Sequence, residues 1–282
     1  MIECSGFITR SVMPEEQKHG LFDKSSYSAE LSRLEADPEY KRLLDGKSVI
    51  VVGPAKTLIG SNLGRTIDSY DLVVRFNTVI EYLPFPGELS ADIGTRTDII
   101  YFNNEVMIDD IIGQRRIKHE RFINIARQLQ MKYLICTNNG FSFDERLSLA
   151  TNCQDEEARF RQFLIENNLC IGFRMLYQLP ALVRSWLRGH VGRTGFMAIA
   201  DLLSYDISRL HISGMTFYHA GGHLFLKDSI SELHPMGNHR GEMPSSPDIL
   251  GHNSYLELEA MRKLANEYGE KLLLDADVKN LL

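Results

Sequence analysis

The chain has 282 residues, enough for one large α/β domain or two small ones. Hydrophobic residues make up 44% and charged residues 24%, the values of an ordinary soluble globular protein rather than of a disordered or membrane-embedded one. The formal net charge of -6 argues against nucleic acid as the main partner, because a phosphate backbone needs a basic face; a local cationic pocket for one anionic small molecule is still compatible with it.

No apolar run is long enough to span a bilayer, and the first residues, MIECSGFITRSVMPEEQKHG, hold no signal-peptide apolar core. The sequence therefore reads as cytoplasmic, without a transmembrane segment. Cys4, Cys136, Cys153 and Cys170 form no Cys-x-x-Cys pair and no zinc spacing. They read as buried or idle thiols of a reducing compartment.

Residues 1–45 are polar and mixed, and read as an N-terminal extension packed on a single domain at 46–282. Within it, Ser25 to Leu44 has helical spacing, with Leu31, Leu34 and Tyr40 on one side. Val49-Ile50-Val51-Val52 then ends at Gly53, the pattern of a strand buried on both faces of a parallel sheet. Gly60 and Gly64 punctuate a loop and a helix start. A second strand, Leu72 to Phe76, stops at Asn77, and a third, Asp98 to Phe102, stops at Asn103. Polar residues thus lie past the carboxyl ends of the strands, the edge where open α/β sheets bind ligands. Residues 78–90, with Pro84, Pro86 and Gly87, are a loop.

Glu105 to Ile112 reads as a short helix, and Lys118 to Gln130 as a longer one with Phe122, Ile125, Ala126 and Leu129 on one face. Tyr133 to Cys136 is a fourth strand, followed by the turn Thr137-Asn138-Asn139-Gly140. Asp155 to Asn167 and Tyr177 to Leu187 are helices, the second with Pro180 in its first turn. An apolar helix runs from Phe196 to Leu203, Arg209 to Ser213 is a strand closed by Gly214, and a helix opening at His252 runs through Leu264 to Tyr268. Lys271 to Leu274 is the last strand. No internal repeat and no low-complexity tract interrupt this order.

Three stretches carry candidate chemistry. From Gly53 the chain reads G-P-A-K-T-L-I-G, neither the dinucleotide fingerprint nor a P-loop; spacing alone leaves a plain turn and a nucleotide loop both open. Gly192-Arg193-Thr194-Gly195 starts the apolar helix. Such a small, polar helix start points free N–H groups at an anion, although an ordinary capped helix has the same spacing. His252-Asn253-Ser254-Tyr255-Leu256-Glu257 opens the next long helix, where a His and a Glu commonly only cap or solvate the start. His219, His234 and His239 lie in a loop before it, at spacings that match no zinc ligand set. Asp275-Ala276-Asp277 has the Asp-x-Asp form of metal-dependent sugar transferases but sits past the last strand, where a solvated turn is the better reading. No metal site is expected.

The stretch GSNLGRTIDSYDLVVRFN, followed by ADIGTRT, resembles the large sialyl motif of the eukaryotic-type sialyltransferases, glycosyltransferase family 29. Thr194-Gly195 is similar to the Ser/Thr-Gly core of that family's small motif, with Gly192-Arg193 standing where the family has Pro-Ser. His252 and Glu257 match the very small motif, His-x-x-x-x-Glu, whose histidine is the family's proposed catalytic base. The family's third short motif, also centred on a histidine, leaves the choice among His219, His234 and His239 open.

The resemblance implies an α/β fold: a Rossmann-like, mostly parallel sheet flanked by helices, the variant A-type glycosyltransferase fold. It implies an inverting transfer of sialic acid from CMP-sialic acid to a hydroxyl of a glycan or glycolipid, with no cofactor beyond the donor. Gly53, Asn77, Asn103, Thr194 and Gly195 would bind the donor, and His252 and Glu257 would be the catalytic residues, Glu257 by orienting the loop or the ring. Two departures stand out. Pro54 replaces an Asn or Ser and has no N–H to donate, which leaves Lys56 or Thr57 to serve the phosphate. The positions of the family's disulfide, Val49 and the region Tyr205 to Ile207, hold no cysteine. Transfer of another CMP-activated keto sugar such as Kdo, or a nucleotide-sugar-binding module without turnover, are the alternative expectations.

Overall fold

The computed structural model describes residues 26–85, 87–103, 119–137, 157–217 and 252–282. The helix expected at 105–112, the turn at 138–140 and residues 1–25 lie outside them.

The apolar run that ends at Gly53 is an interior strand of the sheet, paired on both sides. Among the described residues seven strands pair in parallel: β1 (Ser48–Val52), β2 (Leu72–Phe76), β3 (Ile99–Phe102), β4 (Tyr133–Cys136), β5 (Gly172–Met175), β6 (Arg209–Ser213) and β7 (Leu272–Leu274), in the order β5-β4-β3-β2-β1-β6-β7. The chain therefore steps outward from β1 to β5, then returns to lay β6 on the other side of β1. The order reverses between β1 and β6, and in sheets of this kind the crevice outside the carboxyl ends at such a point takes the ligand. The Rossmann-like parallel sheet is as expected. β2, β4 and β6 have the expected bounds, while β5 was not anticipated.

Side chains alternate across the strands, so the sheet has two apolar cores. Val49, Val51, Val74, Tyr101 and Ile135 face one of them. That layer contains α1 (Tyr27–Leu31), α2 (Pro38–Leu44), α7 (Leu179–Trp186), α8 (Thr194–Leu203), α9 (Ser254–Tyr268) and α10 (Ala276–Leu281). Ile50, Val52, Val73, Ile100, Phe102 and Leu134 face the other, covered by α3 (Gly64–Asp68), α4 (Gly87–Ile93), α5 (His119–Leu129) and α6 (157–166). The segment ahead of β1 is part of the first core: Leu31, Tyr40 and Leu44 are all fully buried. Asp37 caps α2 by accepting the Tyr40 N–H at 2.7 Å, with Pro38 at the first helical position.

One polar network crosses the first core. Asp201 on α8 pairs with Arg174 on β5, and the Tyr101 hydroxyl donates to the same Asp201 oxygen at 2.6 Å. The Tyr40 and Tyr101 hydroxyls lie 2.8 Å apart. Because Tyr101 gives its proton to Asp201, Tyr40 is the donor between them. Burial pushes both phenols well above their ordinary pKa, so both remain protonated.

Candidate functional site

The site is built on the carboxyl edge of the sheet, starting at Gly53. Its N–H donates to the Ser213 carbonyl at 2.8 Å, and the Ala55 N–H donates to the Gly214 carbonyl at 3.1 Å. A Cβ on Gly53 would lie 2.2 Å from the Gly214 oxygen and 2.5 Å from Met215 Cγ. Only glycine lets the loops after β1 and β6 meet this closely. Beyond it, Lys56 and Thr57 stand on a single 3-10 turn, Lys56–Leu58.

Most of the large-motif stretch is scaffold. The Asp92 carboxylate accepts the Gly60 and Asn62 N–H groups, and Asp68 accepts those of Thr95 and Arg96. Arg75, 1% exposed, donates through Nε to the Arg96 carbonyl and to Thr97 Oγ1, both at 3.1 Å. Burial pulls its guanidinium pKa down to about 9. These residues fix the loops that follow β1 and precede β3, and the length of the motif reflects that framework as well as chemistry.

Asn77 is the hub. It sits just past β2 with φ of 42°, a left-handed backbone that Asn tolerates better than most residues. Its Oδ1 accepts the Asn103 backbone N–H at 3.1 Å, which fixes the amide orientation, and its Nδ2 then donates to Thr194 Oγ1 at 3.3 Å. One side chain thus joins the ends of β2 and β3 to the start of α8, and the Thr194 hydroxyl keeps its own proton to donate. The N-cap of α8 is Arg193, whose side chain makes no capping bond. The first-turn N–H groups of α8 are therefore uncapped by a side chain, and they carry the positive end of the helix dipole.

His252 and Glu257 converge on the segment just before that helix. His252 Nδ1 lies 2.7 Å from the Val191 carbonyl. A carbonyl only accepts, so Nδ1 carries the proton in the neutral ring and Nε2 holds the basic lone pair. Asn253 caps α9 by accepting the Tyr255 and Leu256 N–H groups at 3.1 and 3.2 Å. Glu257, fully buried, accepts the Arg193 N–H at 2.7 Å with one oxygen and Arg193 Nη1 at 2.8 Å with the other. The two residues hold the same short segment from two points.

Asp275 accepts the Gly214 N–H at 2.8 Å and caps α10 through the Val278 N–H at 2.9 Å, and so fastens the β6 loop to the start of α10. Among the described residues no three His, Cys, Asp or Glu side chains gather as a metal site. His219, His234 and His239 lie outside the described residues. Sequence reading passed over Arg193 as a contact, the Val191 carbonyl and Met215. The substitution of Arg193 for the family's Ser was the one signal that pointed at any of them.

A sequence model of glycosyltransferase family 29 (sialyltransferase) matches residues 16–167, more than half of the chain. The chain belongs to glycosyltransferase family 29. The matched span contains Gly53, Asn77 and Asn103, while Thr194, Gly195, His252 and Glu257 lie beyond it. A comparison with curated proteins finds no match. Among solved structures, this family 29 chain is similar to a mammalian sialyltransferase in complex with Gal-beta-1-3GalNAc-ortho-nitrophenol, at 17% identity over 88% of this chain and 76% of that one, with a TM-score of 0.47. It is also similar to the monofunctional alpha-2,3-sialyltransferase Cst-I from Campylobacter jejuni (12% identity, 86% and 78% covered, TM-score 0.49). A third is the Campylobacter jejuni sialyltransferase CstII in complex with cytidine-5'-monophosphate (12% identity, 82% and 80% covered, TM-score 0.46).

Proposed function

We propose that this family 29 protein is an inverting sialyltransferase that moves sialic acid from CMP-sialic acid to a hydroxyl of a glycan or glycolipid acceptor. The observation that carries the site assignment is the bridge made by Asn77 from the Asn103 backbone to Thr194, because it draws the large-motif strand ends and the small-motif helix start into one place. The donor's nucleotide lies over Gly53, Asn77 and Asn103, and its phosphate faces the first turn of α8, with Thr194 and Gly195.

In the reaction, His252 Nε2 removes the acceptor hydroxyl proton as that oxygen attacks the anomeric carbon of the sugar. The bond from that carbon to the phosphate oxygen breaks, its electron pair stays on the phosphate, and CMP departs. Attack on the face opposite the leaving group inverts the centre. The α8 N–H groups and the Thr194 hydroxyl stabilise charge as it grows on the phosphate. Glu257 touches no reacting atom in this scheme; it is a positioning residue. A monophosphate leaving group carries less charge than a diphosphate, so no metal is assigned a role.

Pro54 favours one alternative, a donor other than CMP-sialic acid, such as a CMP-linked Kdo. Calorimetric titration with CMP, CDP, UDP and GDP in the presence of a chelator tests the donor class. CMP should bind tightest, and transfer from CMP-sialic acid should persist in the chelator. Preference for a diphosphate, or transfer that returns only with manganese or magnesium, would overturn the assignment.

The protein is further proposed to reside in a reducing compartment, the cytoplasm. Among the described residues no helix is long and apolar enough to cross a membrane. The supporting feature is the absence of cysteine at Val49 and at Tyr205 to Ile207. Denatured, unreduced protein should therefore take up alkylating reagent at all four cysteines. A mass short of two alkyl groups would reveal a disulfide and reverse the compartment assigned.

A further inference from the structure

The contact between Glu257 and Arg193 joins two parts of the site that the reaction uses separately. Arg193 is the N-cap of α8, the helix start assigned to the phosphate, and Glu257 lies in the first turn of α9, the helix preceded by His252. The carboxylate takes both the backbone N–H and the guanidinium of Arg193, at 2.7 and 2.8 Å. The Glu257 side chain is 0% exposed and that of Arg193 is 12% exposed. Val191, two positions before Arg193, receives the His252 ring at 2.7 Å. The Val191 to Arg193 segment is thus held at one end by His252, just ahead of α9, and at the other by Glu257 in its first turn, and any shift of Arg193 moves the phosphate-facing turn and the histidine relative to each other.

The pair also sets a charge. A guanidinium at the N-cap adds to the positive end of the α8 dipole, and the Glu257 carboxylate offsets it at hydrogen-bonding distance. We propose that Arg193 is a positioning residue of this transferase that, balanced by Glu257, couples the placement of His252 to the phosphate end of the donor site and holds CMP affinity below what the bare cation would give. The proposal rests on the reading of α8 as the phosphate-facing helix. Its consequence is that the two members of the pair act on CMP binding with opposite sign. Removing the carboxylate charge makes the surroundings of the N-cap more positive by one unit, whereas removing the guanidinium makes them more negative by one.

The test measures CMP affinity by calorimetry and turnover with CMP-sialic acid in the full chain and in Glu257→Gln, Arg193→Gln and the double variant, with unfolding midpoints recorded for each. Glu257→Gln should tighten CMP binding about three- to tenfold and Arg193→Gln should weaken it by a similar factor. Both should lower kcat by about ten- to a hundredfold, the cost of a displacement on the order of 1 Å at a reacting group. The double variant should bind CMP like the parent and be no slower than the slower single variant. Arg193→Lys keeps the charge but carries it on a shorter side chain with a different head, which disturbs the Nη1 contact to Glu257, so it should retain CMP affinity and still lose turnover; it carries the test if the Gln variants do not fold. Weaker CMP binding in both single variants, alongside lower unfolding midpoints, would make the pair merely structural, and unchanged kcat in either would remove the coupling. A parent chain that binds no CMP would instead overturn the proposed function.

Discussion

His252→Ala should lower turnover by about two to four orders of magnitude, the range that a positioned general base contributes, while CMP binds as it does to the parent. The split follows from the geometry. The nucleotide contacts are assigned to Gly53, Asn77 and the start of α8, whereas His252 gives its Nδ1 proton to the Val191 carbonyl and is proposed to take the acceptor proton at Nε2. Single-turnover transfer and CMP calorimetry on the same sample check both halves. Near-normal turnover would send the search for the base to His219, His234 and His239. Loss of CMP binding would make His252 a phosphate ligand and remove it from the proton-transfer step.

The largest effect on stability should come from the first core. Asp201→Ala leaves the Arg174 guanidinium buried without its carboxylate and takes away the acceptor of the Tyr101 hydroxyl. Breaking a buried pair from one side costs about 3–5 kcal/mol, against a total of about 5–15 kcal/mol for a typical domain. Urea unfolding should therefore show a midpoint shift that removes a large part of the stability. Replacing both members, Arg174→Met with Asp201→Leu, should recover most of it, because no charge is then left buried. A cost below about 1 kcal/mol for Asp201→Ala would mean that water reaches Arg174 and that the pair is not the closed unit described.

The sheet was readable where strands are continuous apolar runs. Leu72 to Phe76, Tyr133 to Cys136 and Arg209 to Ser213 have the expected bounds, because strands covered on both faces leave an uninterrupted apolar signal. β5 was not readable. Its four residues, GFRM, include a glycine and a buried arginine, and the carboxylate that makes Arg174 tolerable lies 27 positions away on α8. Asp37-Pro38 did carry a helix-start signal, an N-cap followed by proline, yet it gave no hint that Tyr40 would reach Tyr101 inside the core. In the candidate site, Asn77, Thr194 and His252 were named through the motifs, and Gly53 and Asn103 from the ends of the strands. What the motifs do not state is which side chain holds which. The Asn77 to Thr194 bond spans 117 positions and the Arg193 to Glu257 contact spans 64, and neither leaves a local pattern.

The return of the chain from β5 to the far side of β1 has a consequence for synthesis. β1 is among the first strands to leave the ribosome, but its partner along one edge, β6, ends only at Ser213. Until then the Val49–Val52 backbone presents an unpaired, apolar ladder edge, the kind of surface that recruits other chains. The halves of the proposed donor site are apart for the same interval, since Gly53 meets Gly214 only when β6 docks. Nascent chains released before that point should be aggregation-prone and unable to hold a nucleotide, and the pairing of β6 with β1 covers that edge and brings the halves of the proposed donor site together in one step, leaving only β7 to add beyond β6.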